Sequence, residues 1–299
     1  MSHAAYRIEH ETRYAYTSGV STSQHVAYLA PRELPHQRVR QHELVIDPPP
    51  ASCVQRVDYF GNTVSQFTIL TPYDELSVIA RSLVDVCAPD PPAVPSDSAP
   101  WETVREALLY ARSAPFQAAS EFSYASPYAA VTPELAEFAR DSFAPTQSIV
   151  EGAIHLMHRI HEQFVFDPEA TTIATPVTRV LADRRGVCQD FAHLQIACLR
   201  SLGLAARYVS GYLLTEPPPG QPRLVGADAS HAWLSAWCPR LGWIDLDLTN
   251  DVVPSHRHVT VAWGRDYGDV CPLRGVMLGG RDHTLHVSVS VTPEDSVTR

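Results

Sequence analysis

The chain has 299 residues, 45% of them hydrophobic, and a formal net charge of -10 at pH 7. That is apolar material enough for a full core in about two domains, and the negative balance excludes a nucleic-acid backbone as a natural partner. No apolar run approaches the length of a membrane helix, and Met1-Ser2-His3-Ala4-Ala5-Tyr6 lacks the basic-then-apolar order of a signal peptide, so the expectation is a cytoplasmic protein with no membrane partner.

Residues 1–87 read as an all-β domain. Tyr6, Ile8, His10, Thr12 and Tyr14 alternate with polar neighbours, and Ser18-Gly19 marks a turn. Glu43 to Ile46 precede Pro48-Pro49-Pro50, which must end any strand. Phe60-Gly61-Asn62 sits between two extended runs as a hairpin signal, and one more alternating run covers residues 76–86. Short antiparallel strands of this kind predict a sandwich-like or open-barrel arrangement. Its His10, His25, His36 and His42 are dispersed and read as ordinary polar residues.

Residues 88–100, with Pro89, Pro91, Pro92 and Pro95, read as an extended linker. Helices follow: one from Pro100 to about Arg112, one capped by Thr132 ahead of Pro133-Glu134, and one from about Ile149 to Phe164. On the third, His155, His158 and His161 recur every third residue. Each such step drifts about 60° around a helix, so the rings fan out and do not converge on a metal.

A short helix near residues 176–183 leads into Arg185-Gly186-Val187-Cys188-Gln189-Asp190-Phe191-Ala192-His193-Leu194. Gly186 breaks the preceding structure, and apolar residues then recur at Phe191, Leu194, Cys198 and Leu202, one face of a helix that should stop at Gly203. Cys188 therefore falls at a helix start, where the dipole and unpaired backbone N–H groups favour thiolate. Next come a strand over 206–213, a Pro/Gly-rich loop, and two alternating segments, Ser230-His231-Ala232-Trp233-Leu234-Ser235-Ala236-Trp237 and Gly242-Trp243-Ile244-Asp245-Leu246-Asp247-Leu248-Thr249-Asn250. A helix with Cys, a strand beginning with His and a strand carrying Asp supply a thiol, a base and a group that orients the base. The six cysteines, Cys53, Cys87, Cys188, Cys198, Cys238 and Cys271, show no C-x-x-C spacing, which argues against a redox pair or zinc knuckle. Cys198 and Cys238 read as packing residues.

Gly-Val-Cys-Gln-Asp-Phe-Ala-His, Leu-Gly-Leu-Ala-Ala-Arg-Tyr-Val-Ser-Gly-Tyr-Leu, Ser-His-Ala-Trp and Gly-Trp-Ile-Asp-Leu-Asp-Leu-Thr-Asn together resemble the bacterial transglutaminase-like proteins. Tyr6-Arg7-Ile8-Glu9-His10 and Asp58-Tyr59-Phe60-Gly61-Asn62 look like the amino-terminal region of that family, and Gly264-Arg265-Asp266-Tyr267 with the His283 region like its carboxy-terminal end. The resemblance implies an α+β chain: an N-terminal antiparallel β-sandwich-like domain over 1–87, the linker, and a papain-like or transglutaminase-like catalytic domain over 101–299 with its core at about 150–251. Strands near 259–263 and 283–291 either complete that domain or return to the amino-terminal sheet. The superfamily triad carries over as Cys188, His231 and Asp247. The family usually has Pro where Leu248 follows the Asp, so the backbone there is expected to be less rigid.

Strand parity agrees with Asp247. A three-residue loop over 239–241 would pair Trp233 with Asp247 and leave His231 diagonal to Asp247 on one face. Asp245 shares the face but lies nearer the turn, and Asp251 also fits by parity, demoted only by the family pattern. The implied activity is thiol-dependent acyl transfer on amide bonds of peptides or proteins through a thioester, more hydrolytic than crosslinking, with a non-catalytic peptide-binding module as the alternative. One oxyanion donor is the Cys188 N–H, and the second is unnamed. No Asp/Glu-rich loop with calcium-ligand spacing appears, so neither metal nor cofactor is expected. Trp233, as core packing or as lining of the acyl pocket, and Asp228 and Tyr267, as borders of the cleft, complete the candidate set. The sequence leaves the oligomeric state open.

Overall fold

The computed structural model describes residues 3–87, 98–110, 117–215 and 230–294. Most of the Pro-rich linker, the loop over 216–229 and Asp228 lie outside the described residues.

The amino-terminal part builds β1 (His3–Ala27), β2 (Gln37–Asp47), β3 (Ser52–Val57), β4 (Thr63–Ile69) and β5 (Tyr73–Cys87). The expected hairpin at Phe60-Gly61-Asn62 joins β3 to β4, with Val57 opposite Thr63 and Gly61 at φ 77°, a backbone conformation that suits glycine. Ser18-Gly19, expected as a turn, does not reverse the chain. β1 runs through it as one strand whose register against β5 shifts between Ala15 and Val20. Such an irregularity redirects a strand without ending it, so β1 pairs with β5 along its first part and with β4 along its last.

Helices α1 (Trp101–Leu108), α2 (Pro133–Arg140) and α3 (Ile149–Gln163) come next. Thr132 caps α2 through its side chain, as its type and position predict. The short β6 (Val165–Phe166) pairs in parallel with β7 (Arg185–Gly186), which follows α4 (Val177–Asp183). Then come α5 (Cys188–Ser201), β8 (Ala206–Leu213), β9 (Ser230–Cys238), β10 (Gly242–Leu246), β11 (His258–Gly264) and α6 (Tyr267–Val270). β8 to β11 form a four-stranded antiparallel sheet in the order β10-β9-β8-β11. α5 is buried along almost its whole length, including Asp190, His193, Gln195 and Arg200, so it is a central helix and not the one-faced helix the apolar spacing suggests.

Of the two placements open for the last strands, the structure shows the return to the amino-terminal sheet. β12 (Leu273–Gly279) and β13 (His283–Pro293) both pair antiparallel with β1, completing a seven-stranded curled sheet. Cutting the chain at residue 101 therefore does not separate the two sheets. They also share one core: Tyr6, Ile8, Val84 and Val291 belong to the same buried cluster as Leu194 of α5 and Leu234 of β9.

The outer edge of β11 would leave backbone groups unpaired, and the amino-terminal part closes it. Gln37 donates its amide N–H to the Thr260 carbonyl (2.7 Å) and accepts the Thr260 N–H (2.8 Å). Asn62 does the same at Trp263, at 2.8 and 3.0 Å. A register shift between Thr260 and Ala262 inserts one extra residue, which spaces the two outward-facing pairs three apart where a regular strand gives two. His10, read from sequence as an ordinary polar residue, is buried and bonds the Tyr212 hydroxyl across the same junction at 3.0 Å.

Asn62→Ala strips buried donors and acceptors of their partners and should cost about 2–4 kcal/mol of stability, read as a lower midpoint in denaturant. Burial pushes His10 and His25 down to about 4. An unfolded imidazole takes its proton near ~6.5, so stability should fall as pH drops from about 6.5 towards 4. Melting curves across that range should show a shallower decline for His10→Gln than for wild type.

Candidate active site

Two local devices set Cys188 at the first turn of α5. The β6–β7 pairing holds the approach, with Asp167 N–H on the Gly186 carbonyl at 2.9 Å. The Asp190 carboxylate then reaches back to the Val187 N–H (2.9 Å) and accepts the Thr171 hydroxyl (2.6 Å). A β-carbon on Gly186 would stand 2.8 Å from the Asp190 side chain. Gly186 is thus required by the close approach of this cap as well as by the break before the helix.

The β9–β10 hairpin has the register that parity requires. Gly242 pairs with Cys238 and Leu246 with Leu234, which leaves a three-residue loop over 239–241 and puts Asp247 level with Trp233. His231 Nε2 lies 2.8 Å from Asp247 Oδ2. Cys188 is the other group that favours the His231 cation. An ionised carboxylate only accepts, so Nε2 carries the imidazole proton and Nδ1 is left for the thiol.

Asp247 has no exposed surface and is fully supplied with donors. Oδ1 accepts the N–H groups of Thr249 (3.1 Å) and Asn250 (3.3 Å). Oδ2 accepts His231, the Asn250 amide (2.8 Å) and His258 Nε2 (3.0 Å). Burial alone would raise its carboxyl, but the hydrogen bonds from His231 and His258 and the charge of His231 hold it well below the usual carboxylate range. Burial likewise works against the His231 cation. The hydrogen bonds and charges of Asp247 and Cys188 outweigh it and push His231 up to about 10.

The other carboxylates weighed from the sequence are occupied elsewhere. Asp245 accepts the Trp233 indole N–H at 3.2 Å and the Ser235 hydroxyl. Asp251 pairs with His158. The histidine ladder of α3 thus has a structural use that its spacing did not reveal: His158 and His161, the latter on the Leu248 carbonyl at 3.0 Å, tether the turn that follows Asp247.

Trp233 is corrected as a candidate lining of the acyl pocket. Its side chain is fully buried, 6.0 Å from the His231 ring and edge-on to His258 at 5.3 Å between centroids. It lies across β8 because position 211 is glycine, where a β-carbon would overlap the Trp233 ring and the Val259 carbonyl. Trp233 is therefore the packing residue of the pair of readings. Tyr267 is half-buried, and the partners it meets are not the residues of this centre. Its N–H donates to His193 Nε2 at 3.1 Å, and its ring stands edge-on to Tyr128 and Tyr208. Asp228 lies outside the described residues.

His258 and Asn250 are the residues that sequence reasoning missed. Asn250 follows Asp247 closely enough to have been weighed, whereas His258 comes from the far edge of the sheet. His231, Asp247 and His258 present ligand-type atoms within 4.8 Å of one another. The backbone N–H of Ser255 donates to His258 Nδ1 at 3.3 Å, however, which puts the ring proton on Nε2 and removes the lone pair a cation would need.

The comparisons with known proteins fall on these same segments. Residues 6–85 match the bacterial transglutaminase-like N-terminal region, and residues 136–248 match the transglutaminase-like superfamily. A Mycobacterium tuberculosis H37Rv protein described as uncharacterized is 43% identical over 96% of this chain and 92% of its own. A Pseudomonas aeruginosa protein-glutamine gamma-glutamyltransferase is 36% identical over 124 residues, 40% of this chain and 18% of that longer protein. The crystal structure of a cysteine protease candidate from Cytophaga hutchinsonii superposes with a TM-score of 0.74 at 19% identity, covering 100% of this chain and 93% of that one, a likeness of fold. With both segments matched in order along one chain, the protein belongs to the transglutaminase-like superfamily, in the bacterial form that carries its own amino-terminal region.

Proposed function

We propose that the protein is a thiol-dependent acyl-transfer enzyme acting on amide bonds of peptides or proteins, with Cys188 as nucleophile, His231 as general base and acid, and Asp247 as the group that orients His231. The observation that carries this reading is the His231 ring. Its Nε2–H is committed to Asp247, so its basic nitrogen is the one left to the Cys188 thiol.

In this mechanism Nδ1 of His231 holds the proton taken from the thiol, as an imidazolium paired with the Cys188 thiolate, and the sulfur attacks the amide carbon. The carbonyl oxygen becomes an oxyanion, stabilised by the Cys188 N–H at the positive end of α5. Collapse breaks the carbon–nitrogen bond, and the imidazolium gives its proton to the departing amine. A thioester on Cys188 remains. Water, deprotonated by the same imidazole, then releases a carboxylic acid and restores the thiol, and no cofactor is needed for the balance. A second reading, an amine in place of water, is favoured by the sequence likeness to the Pseudomonas glutamyltransferase. A glutamine peptide supplied with a primary amine separates the two: hydrolysis converts glutamine to glutamate, whereas transfer adds the amine to the side chain.

Alkylation tests the nucleophile before any substrate is known. Iodoacetamide at pH near 6 should label Cys188 ahead of the other five cysteines, and His231→Ala should abolish that preference, as read by mass-spectrometric site assignment. Slow labelling unchanged by the substitution would instead support a peptide-binding module on this fold. Turnover should fall as pH rises through about 10, where His231 loses the proton that the leaving amine requires. Asp247→Asn should lower kcat by on the order of 10³–10⁴-fold with the fold intact, because the amide no longer enforces the tautomer.

A further inference from the structure

The reading above uses one imidazole on Asp247, yet two imidazole N–H groups converge on the same oxygen of that carboxylate. The second, His258 Nε2, stands 3.0 Å from Oδ2. It begins β11, whereas Asp247 follows β10, and these strands are the two edges of the four-stranded sheet. The chain crosses the whole sheet to bring them together.

His258 is held so that it can only donate. Its ring is buried, its Nδ1 faces the Ser255 N–H at 3.3 Å, and the edge-on indole of Trp233 fixes its plane. A neutral imidazole has one proton, and a nitrogen that accepts a backbone N–H cannot carry it. The proton is therefore on Nε2, aimed at Asp247. Gly211 is what allows this support, because a β-carbon there would displace the Trp233 ring.

Resting on the proposed mechanism, we infer that His258 is a positioning residue: it donates to Asp247 Oδ2 and keeps that oxygen in line with His231, completing a chain from the Ser255 N–H to the Cys188 thiol. Carboxylates tolerate burial only when donors replace the lost water. With Oδ1 on the turn's own N–H groups, His258 and Asn250 are the fixed donors that stop Oδ2 from swinging away from His231. The titratable groups around the pair, among the described residues, are few. His231 and through it Cys188 face it from β9 and α5. His158, with Asp251, and His161 tether the adjoining turn from α3. Asp245 is turned to Trp233 and Ser235, and Arg257 bonds the Leu214 carbonyl.

Two measurements on the full chain test this. Long-range proton–nitrogen correlation of ¹⁵N-histidine protein should show His258 as the Nε2–H tautomer at neutral pH; an Nδ1–H tautomer overturns the proposal whatever the protein's activity. The rate of Cys188 alkylation should then be followed against pH for wild type, His258→Ala and His258→Gln. The alanine variant should react about 10- to 100-fold more slowly, the worth of one hydrogen bond to a charged group. Its acid limb should move to higher pH, because Asp247, missing a donor, protonates sooner. Glutamine, whose amide N–H can reach the same oxygen, should recover most of the rate and the wild-type limb. An unchanged alanine variant, or equal losses in both variants without a shift of the limb, would make His258 a packing residue only. Should Cys188 labelling prove independent of His231, the proposed mechanism fails, while the tautomer of His258 still reports on its bond to Asp247.

Discussion

A carboxylate cut off from water either receives hydrogen bonds from the protein or gives up its charge. Asp247 is in that position, and much of the transglutaminase-like half is arranged to supply it. The turn after β10 contributes two backbone N–H groups and the Asn250 amide, β9 contributes His231, and β11 contributes His258. Because β8 separates β9 from β11, the charge on one side chain ties strands that are not neighbours to the protonation of one imidazole. His231 stays cationic to about 10 only while that carboxylate is ionised beneath it.

The amino-terminal part enters the same economy through the backbone. β11 carries His258 on its first residue, and its outer edge is held by the carboxamides of Gln37 and Asn62. Two cations add to the seam: the Arg32 guanidinium stacks on Trp263 at 3.5 Å and the Arg207 guanidinium at 3.7 Å. An open strand edge invites pairing with another chain, and side-chain amides close this one without lengthening the sheet. The region of the sequence with no catalytic constellation of its own thus secures the strand on which the second imidazole rides.

What was legible in the sequence was local. Cys188 at a helix start follows from Gly186 and the apolar spacing behind it, and the Asp247 register follows from a three-residue loop and period-two alternation. The four-residue cap from Val187 to Asp190 was equally short-range, though its need for Gly186 as a spacer was not visible. Features that depend on strand order were hidden. His258 sits at the opposite sheet edge, and nothing in residues 247–258 says that the chain crosses over. Trp233 was placed on the correct face by parity, but its complete burial depends on a missing side chain at position 211, on another strand. Ser18-Gly19 carries turn composition, yet β1 is paired on both sides up to Ala15 and again from Val20, and the gain in pairing on either side of the irregularity keeps the strand continuous.

That continuity bears on how the protein is made. β1 spans His3–Ala27 and is hydrogen-bonded on one side by β13, which ends at Pro293. Chains emerge from the ribosome from the amino terminus, and domains generally fold as they appear. Here β1 waits for β13, which follows every strand of the other sheet. Until then the Tyr6–Tyr16 stretch of that flank lacks its strand partner, while β8 to β11 of the sheet that carries His231 have all been made. The four-stranded sheet thus has all its strands in hand before the seven-stranded sheet can close.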